Sequence, residues 1–352
     1  MEWVAIIVGC LFAMNIGASG AAATMGVAYG SGSIQKRYIA LILCSIGIIL
    51  GAVIGGEKVI KTIGSGLMRQ EDLSAPIVMI ILASATLTLL FSNLLGIPLS
   101  TSEVTVGSVV GVGIAFQSVY LLPLLTIISL WVIVPVIAYI VTVLIQKGMN
   151  AYIAHTRFAK AKILPYILIL TGFLEAFSAG MNNIANAVGP LVGAHLLAES
   201  TGKWLGGFFV ALGVLVLGAK VLETNGKRIT KFSTLEGINI SATGATLVIL
   251  ASLFGIPIPM TQITTSSILG IGFVNEGRQV FKKEVVKRLV KIWIVSPLVS
   301  LIVSYTVVQA FVFSNWYSFI IVIIVFVATI VFISLMTSFL KPSKQMSLGR
   351  NE

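Results

Sequence analysis

The chain contains the stretch GEKVIKTIG at residues 56–64, and 162 residues later it contains the similar stretch GAKVLETNG at residues 218–226. Two further pairs of stretches occur in the same order along the chain. They are LGIP at 95–98 with FGIP at 254–257, and GASGAA at 17–22 with GMNNIA at 180–185. Three matches in order, at nearly constant spacing, indicate that the chain consists of a duplicated unit.

The composition of the 352 residues is that of a membrane protein. Hydrophobic residues make up 57% of the chain and charged residues only 10%, whereas a soluble protein carries roughly a quarter charged residues. This balance excludes an ordinary soluble enzyme, a nucleic-acid-binding protein and a disordered chain. Since each crossing needs about 20 apolar residues, the sequence predicts an all-α polytopic protein in the lipid bilayer with about 10–12 transmembrane helices.

The positive charges predict how the chain is oriented in the membrane. If the N-terminus is outside and the spans alternate, 19 of the 23 Lys and Arg residues fall on the inner side. The outer side keeps four, which are Lys58, Lys61, Arg69 and Lys203. Because Lys and Arg mark cytoplasmic loops, we expect a multi-pass protein of the cell (plasma) membrane with a cytoplasmic C-terminus, the net charge of +11 being mainly a topology signal.

The predicted spans also indicate that the second half enters the membrane upside down. The first half contains five spans, which is an odd number, so the second half starts from the opposite side. Inverted repeats of this kind are typical of secondary transporters, which hold their substrate between the repeats near the midplane. We predict a first repeat at 1–146, a basic cytoplasmic linker at 147–163, an inverted second repeat at 164–312, and a further helix and tail at 313–352.

Each half carries a Gly-Ile-Pro break, at 96–98 and 255–257, followed by a hydroxyl- or amide-bearing segment. Proline favours the first turn of a new helix, so the sequence predicts broken helices or re-entrant hairpins whose N-terminal N–H groups attract anions. Irregular backbone at this depth is tolerated where it lines a cavity. The polar residues here are Ser100, Thr101 and Ser102 in the first half and Thr261 and Gln262 in the second.

Two acidic residues, Glu103 and Glu175, fall inside hydrophobic segments, whereas no Lys or Arg does. An ionisable group inside the membrane is costly and is by default a candidate for function. The alternative is a protonated Glu that is hydrogen-bonded for structural reasons.

The paired motifs resemble the inorganic phosphate transporter (PiT) family, which carries Gly-Ala-Asn-Asp-Val-Ala-Asn-Ala in each half, followed by Pro-Val-Ser-Thr-Thr-His. The second half has GMNNIANAVGP at 180–190, and the first has the more divergent GASGAAAT at 17–24 with GSG at 30–32. IPLSTSE at 97–103 matches the hydroxyl motif well, and the copy at 256–262 matches weakly. The resemblance covers nearly the whole chain and is greatest to the bacterial sulfate permease branch of the family.

Gly20 and Asn183 occupy the positions of the family's signature aspartates, and the only Asp of the chain is Asp72, in a loop. In the family these carboxylates belong to the sodium and phosphate machinery. Phosphate near neutral pH keeps protons that need acceptors, whereas sulfate is fully deprotonated and only accepts hydrogen bonds, so hydroxyls and amides suit it and a fixed carboxylate repels it. The sequence therefore predicts sulfate import by proton symport, without sodium.

We expect sulfate to lie between the repeats, bound by side chains and backbone N–H groups. The predicted donors are Ser19, Ser100, Thr101, Ser102, Asn182, Asn183, Thr261 and Gln262. Any single Ser or Thr among them has the alternative of packing helices or bonding its own backbone. A proton on Glu103, which occupies the position of the family's His, is predicted to offset the anion's charge, since burial favours the neutral form of a carboxylic acid. Glu175 is a second candidate or a relay.

Other functions stay open on the sequence alone. The main alternative is an inorganic phosphate transporter, proton- or sodium-coupled, of the same family. An anion channel and a membrane enzyme are alternatives from other functional classes. Neither His155 nor His195 fits a catalytic cluster, and no nucleophile, metal or cofactor motif occurs, so we predict no enzymatic activity, no cofactor and no metal. Thiosulfate or other tetrahedral oxyanions are further candidate substrates, and the family resemblance makes a homodimer plausible.

Overall fold

The computed structural model describes residues 1–94, 99–154, 161–223, 232–282, 284–317, 319–321 and 324. Over these residues the regular elements are helices, in agreement with the predicted all-α class. Seven helices precede the linker: α1 Glu2–Ile16, α2 Gly26–Gly30, α3 Arg37–Gly55, α4 Glu57–Ser65, α5 Ala75–Leu94, α6 Thr101–Ala115 and α7 Leu121–Ala154. Six follow it: α8 Leu164–Gly193, α9 Glu199–Leu217, α10 Ala219–Glu223, α11 Thr234–Leu253, α12 Met260–Glu276 and α13 Glu284–Phe311.

Eight of the described helical segments are long and apolar enough to cross a membrane. They are Glu2–Ala21 (α1 with the π-helical turn Gly17–Ala21), Arg37–Gly55, Ala75–Ser92, Leu121–Tyr152, Leu164–Gly193, Glu199–Leu217, Thr234–Leu253 and Lys291–Phe311. The two segments that follow the Gly-Ile-Pro breaks form the shorter helices α6, of 15 residues, and α12, of 17 residues. Most of the further helix and tail predicted at 313–352 lies outside the described residues.

The chain divides into two compact units, Met1–Tyr305 and Thr306–Glu352. The first unit contains α1 to α12 and most of α13. In the second unit, Trp316 makes edge-to-face contacts with Phe311 and Phe319, at ring-centroid distances of 5.6 and 5.8 Å. The division into repeats and linker at residues 146, 163 and 312 stays a prediction.

The long helices of the first unit approach one another closely where one of them carries glycine. An added Cβ on Gly51 of α3 would collide with the carbonyl oxygen of Phe177 of α8, and one on Gly64 of α4 would lie 2.5 Å from the carbonyl oxygen of Gly189. Small residues allow backbones to meet in this way, and van der Waals packing of this type holds membrane helices together. Helices α1, α3, α4, α9 and α11 all pack against α8, which therefore lies at the centre of the unit.

Replacement of Gly51 by Val should therefore destabilise the protein. A side chain that meets a backbone carbonyl forces α3 away from α8, and overpacking of this kind costs about 1–3 kcal/mol or more. We expect a lower thermal midpoint and a smaller folded yield for the purified Gly51→Val protein in detergent. Gly148→Val is the matched control, because nothing lies within 4 Å of a Cβ at Gly148, and equal loss in both variants would contradict the close contact.

The predicted break in the second half is confirmed by the helix ends. Helix α11 ends at Leu253 and α12 begins at Met260, with Gly255 at φ +72° between them, a conformation that glycine adopts without strain. Lys58 Nζ donates to the Leu253 carbonyl at 2.8 Å, and Trp131 Nε1 donates to the Pro257 carbonyl at 2.9 Å. The corresponding first break, at 95–98, lies outside the described residues.

Candidate functional site

The site is built where two short helices begin beside the middle of α8. Helix α6 starts after Ser100, which is buried and extended, and α12 starts after Pro259. Neither start receives a hydrogen bond from a capping side chain, whereas α11 begins with a capping box formed by Ser233 and Glu236. The first N–H groups of both short helices are thus without a side-chain cap, and helix starts of this kind favour negative charge.

Three asparagines on one face of α8 contact the start of α6. Asn186 Nδ2 donates to Thr101 Oγ1 at 3.4 Å and to Ser102 Oγ at 3.3 Å. Thr101 Oγ1 in turn donates to Asn183 Oδ1 at 3.3 Å, and Ser102 Oγ donates to Asn182 Oδ1 at 3.4 Å. All five side chains are buried. The spacing 182, 183 and 186 puts them on one side of the helix, so a single surface of α8 binds both hydroxyls.

Asn182 also holds the break that precedes α12. Its Nδ2 donates to Ser252 Oγ at 3.1 Å and to the Ile256 carbonyl at 3.0 Å, while its Oδ1 accepts from the Ile258 N–H at 3.2 Å. One side chain therefore links the hydroxyl segment of the first half to the broken backbone of the second.

Two polar atoms near the helix starts are buried without a hydrogen-bond partner among the described residues. They are the hydroxyl of Thr261 and Oδ1 of Asn186. The only hydrogen-bonding group in the side chain of the neighbouring Met260 is its thioether sulfur, which accepts from Asn183 Nδ2 at 3.4 Å. A buried polar group without a partner costs free energy, so both atoms are available to a ligand that enters here.

Glu103 lies in the first turn of α6 and is only 1% exposed. Gln262 Nε2 donates to its Oε1, and Ser296 Oγ of α13 donates to its Oε2. The salt bridges of the described residues do not include Glu103. The carboxyl group is thus held by two neutral donors from two other helices, next to the hydroxyls of α6.

Glu175 is the second buried carboxyl group, on α8 and 4% exposed. Thr264 Oγ1 of α12 donates to its Oε1 at 3.4 Å, and Gly244 of α11 faces the same oxygen. Helix α12 therefore contacts both buried carboxyl groups, through Gln262 and Thr264. The described hydrogen bonds do not link Glu103 to Glu175 directly.

The structure brings most of the predicted donors together, and one of them bonds elsewhere. Thr101, Ser102, Asn182 and Asn183 form one hydrogen-bonded cluster, while Gln262 binds Glu103. Thr261 and Ser100 flank the starts of the two short helices. Ser19, in the π-helical turn, donates to the carbonyl of Ile16 at 3.2 Å, and no described hydrogen bond joins it to the cluster. Its role in binding stays a prediction.

Three residues that take part in these contacts were not among the predicted ones. Asn186 is one turn after Asn182 within the same motif, so the helical period could have identified it. Ser252 and Ser296 had no local signal, because each meets its partner only through the packing of α11 and α13 against other helices.

Comparisons with known proteins agree on one family. Residues 16–304 match the family described as "Phosphate transporter family". The sulfate permease CysP of Bacillus subtilis is 54% identical to this chain over 329 residues, which cover 93% of each protein. A solved structure titled "The sodium-dependent phosphate transporter" has the same fold, with a TM-score of 0.79 at 24% identity, over 87% of this chain and 97% of the other.

Proposed function

The chain belongs to the phosphate transporter family, and we propose that it is a secondary active transporter that imports inorganic sulfate by proton symport, without sodium. The family membership confirms the resemblance found in the sequence, and the 54% identical relative is named a sulfate permease. The observation that carries the proposal is the position of Asn183. It replaces a signature aspartate of the family, and it lies inside the hydrogen-bonded cluster, on Thr101.

The chemistry of the cluster suits an anion that only accepts hydrogen bonds. Thr101, Ser102, Thr261 and the amides of α8 offer neutral donors, and the uncapped starts of α6 and α12 add backbone N–H groups. Sulfate accepts from all of these and needs no acceptor in return. To bind, it displaces the weak contacts of 3.3–3.4 Å that the donors now make with one another.

Proton coupling follows from the position of Glu103 beside these donors. No described Lys or Arg pairs with it, so an ionised Glu103 next to sulfate places like charges together in a low dielectric. A protonated Glu103 removes this repulsion and can donate to the anion. Sulfate and a proton therefore bind together, and Glu175, which also contacts α12, serves as a second proton site or a relay.

The cellular location, a further substrate and the oligomeric state are also part of this proposal. The protein works in the plasma membrane with a cytoplasmic C-terminus, and the tail itself lies outside the described residues. Thiosulfate shares the tetrahedral shape and acceptor-only surface of sulfate and is a further candidate substrate. A homodimer is proposed from the family resemblance.

A phosphate transporter is the second candidate, and Asn186 favours it. The Oδ1 of Asn186 is a buried acceptor without a partner among the described residues, and a proton of hydrogen phosphate could donate to it. A protonated Glu103 can donate a hydrogen bond to sulfate. Towards a proton of hydrogen phosphate, the same group is a weaker acceptor than an ionised carboxylate. The balance of donors over acceptors in the cluster therefore favours sulfate.

Uptake into proteoliposomes separates these candidates. We expect labelled sulfate to accumulate when an inward proton gradient is imposed, at the same rate whether the external cation is sodium or choline. An excess of unlabelled sulfate should abolish uptake, and the same excess of phosphate should leave most of it, because phosphate protons lack carboxylate acceptors here. Liposomes without protein are the control. Equal competition by phosphate, or a requirement for sodium, would contradict the proposal.

A further inference from the structure

Reciprocal close contacts connect the two halves of the chain. In two sets of contacts, a glycine of one half lies against a carbonyl of the other, and the equivalent glycine lies against the equivalent carbonyl, with spacings of 162 or 163 residues. The two sets are Gly17 on Val210 with Gly180 on Ile48, and Gly51 on Phe177 with Gly213 on Met14. Contacts in which i meets j and the equivalent of j meets the equivalent of i are those of two units related by a two-fold axis.

The ion pairs that join α3 to α10 and α4 to α9 follow the same rule. Arg37 binds Glu223 with 2.9 Å between nitrogen and oxygen, and Lys61 binds Glu199 at 3.6 Å. Positions 37 and 199 are 162 residues apart, and so are positions 61 and 223. The two ion pairs are therefore equivalent contacts, in which the basic residue of one pair corresponds to the acidic residue of the other. The Arg37 pair lies at the start of α3, and the Lys61 pair lies beyond its other end, in α4, as expected for halves that are inverted relative to each other.

The short helices and their neighbours repeat the pattern at the spacing of the Gly-Ile-Pro breaks, 159 residues. An added Cβ on Gly111 of α6 would meet Ser304 of α13, and one on Gly270 of α12 would meet Thr142 of α7. Positions 142 and 304 are again 162 residues apart. Helices α6 and α12 thus occupy equivalent places in the two halves.

At this spacing Glu103 is equivalent to Gln262, and these two side chains are hydrogen-bonded to each other. Equivalent positions of two related units touch directly only beside the axis that relates them. We infer that positions 103 and 262 face each other across this axis, so that the proton-coupling carboxyl group can function from either position. The inference rests on the role proposed above for Glu103.

One difference between the halves distinguishes the two positions. Ser296 of α13 donates to Glu103, and the residue equivalent to Ser296, 162 residues earlier, is Val134 of α7. Val134 packs with Ile258 and Ile263, on either side of Gln262 in the chain. A carboxyl group moved to position 262 therefore lacks its hydroxyl donor, and Val134→Ser supplies one.

The exchange of the two side chains tests the inference. Glu103→Gln should lose the stimulation of sulfate uptake by an inward proton gradient, which we expect to be about tenfold in the unaltered protein. Glu103→Gln/Gln262→Glu should regain about half of it, and adding Val134→Ser should raise it further. A monodisperse peak on gel filtration in detergent reports folded protein in each variant. Glu103→Ala/Gln262→Glu, which leaves more room beside the new carboxyl group, is measured alongside.

The outcomes distinguish this inference from the proposed function. If Glu103→Gln keeps its stimulation, the coupling role of Glu103 is wrong and the inference is overturned with it. If Glu103→Gln loses stimulation and neither double variant regains any, the role of Glu103 stands and the equivalence of the two positions is overturned. Loss of the monodisperse peak in both double variants also overturns it, because equivalent positions must accept each other's side chains.

Discussion

Sulfate uptake by the Glu103→Gln variant should show no acceleration by an inward proton gradient, whereas the unaltered protein should respond about tenfold. Glutamine keeps the size of glutamate and stays neutral, so it imitates the protonated state permanently. Sulfate should therefore still bind among the hydroxyls of α6, and its exchange across the membrane should continue. What is lost is the link between the proton and the anion, because position 103 no longer gains or releases a proton.

Two measurements on the same proteoliposomes check this prediction. Uptake of labelled sulfate with and without a pH gradient reports coupling, and counterflow at equal pH reports binding and folding. Glu71→Gln is the matched control. Glu71 is exposed in a loop, so this substitution removes the same charge at a position away from the site. Full stimulation in Glu103→Gln would falsify its role in coupling, while loss of stimulation in Glu71→Gln as well would point to a general effect of net charge.

Much of the fold follows from local features of the sequence. Long apolar segments gave the spanning helices, and the end of α11 and start of α12 were predictable because Gly255 and Pro259 act on their own backbone. The cluster was predictable to the extent that it rests on motifs. Thr101 was singled out from the segment after the first break and Asn183 from the family resemblance, and the structure joins them.

Other parts of the site depend on helix packing that the neighbouring residues in the sequence do not indicate. Ser296 reaches Glu103 only because α13 lies against the glycine face of α6, and nothing in its own surroundings indicates this. Ser19 shows the opposite case. It is the equivalent of Asn182, but its shorter side chain bonds the Ile16 carbonyl of its own helix, an alternative that hydroxyls on helices often take. Equivalent sequence positions therefore need not make equivalent contacts when the side chains differ in reach.

Replacement of Asn183 by Asp should have the largest effect on substrate choice. It restores the carboxylate of the family motif at a position that lies 3.3 Å from the hydroxyl of Thr101. At an effective dielectric constant of about 20, two unit charges about 4 Å apart repel by about 4 kcal/mol. Sulfate carries two charges and no proton to offer, so we expect its uptake to fall at least about 100-fold. Hydrogen phosphate can donate a proton to the new carboxylate, so its uptake relative to sulfate should rise.

Asn183→Ala separates the new charge from the loss of the amide. It removes the amide donor, which Asp also lacks, and the acceptor for Thr101, which Asp keeps, and it adds no carboxylate. A hydrogen bond of this kind contributes about 1 kcal/mol. Sulfate uptake in Asn183→Ala should therefore fall by only about tenfold or less, with no gain for phosphate. If Asn183→Asp and Asn183→Ala behave alike towards both anions, the carboxylate is not close to the bound substrate. The absence of aspartate would then not be what selects sulfate, and selection would have to come from the donors of α6 and α12 alone.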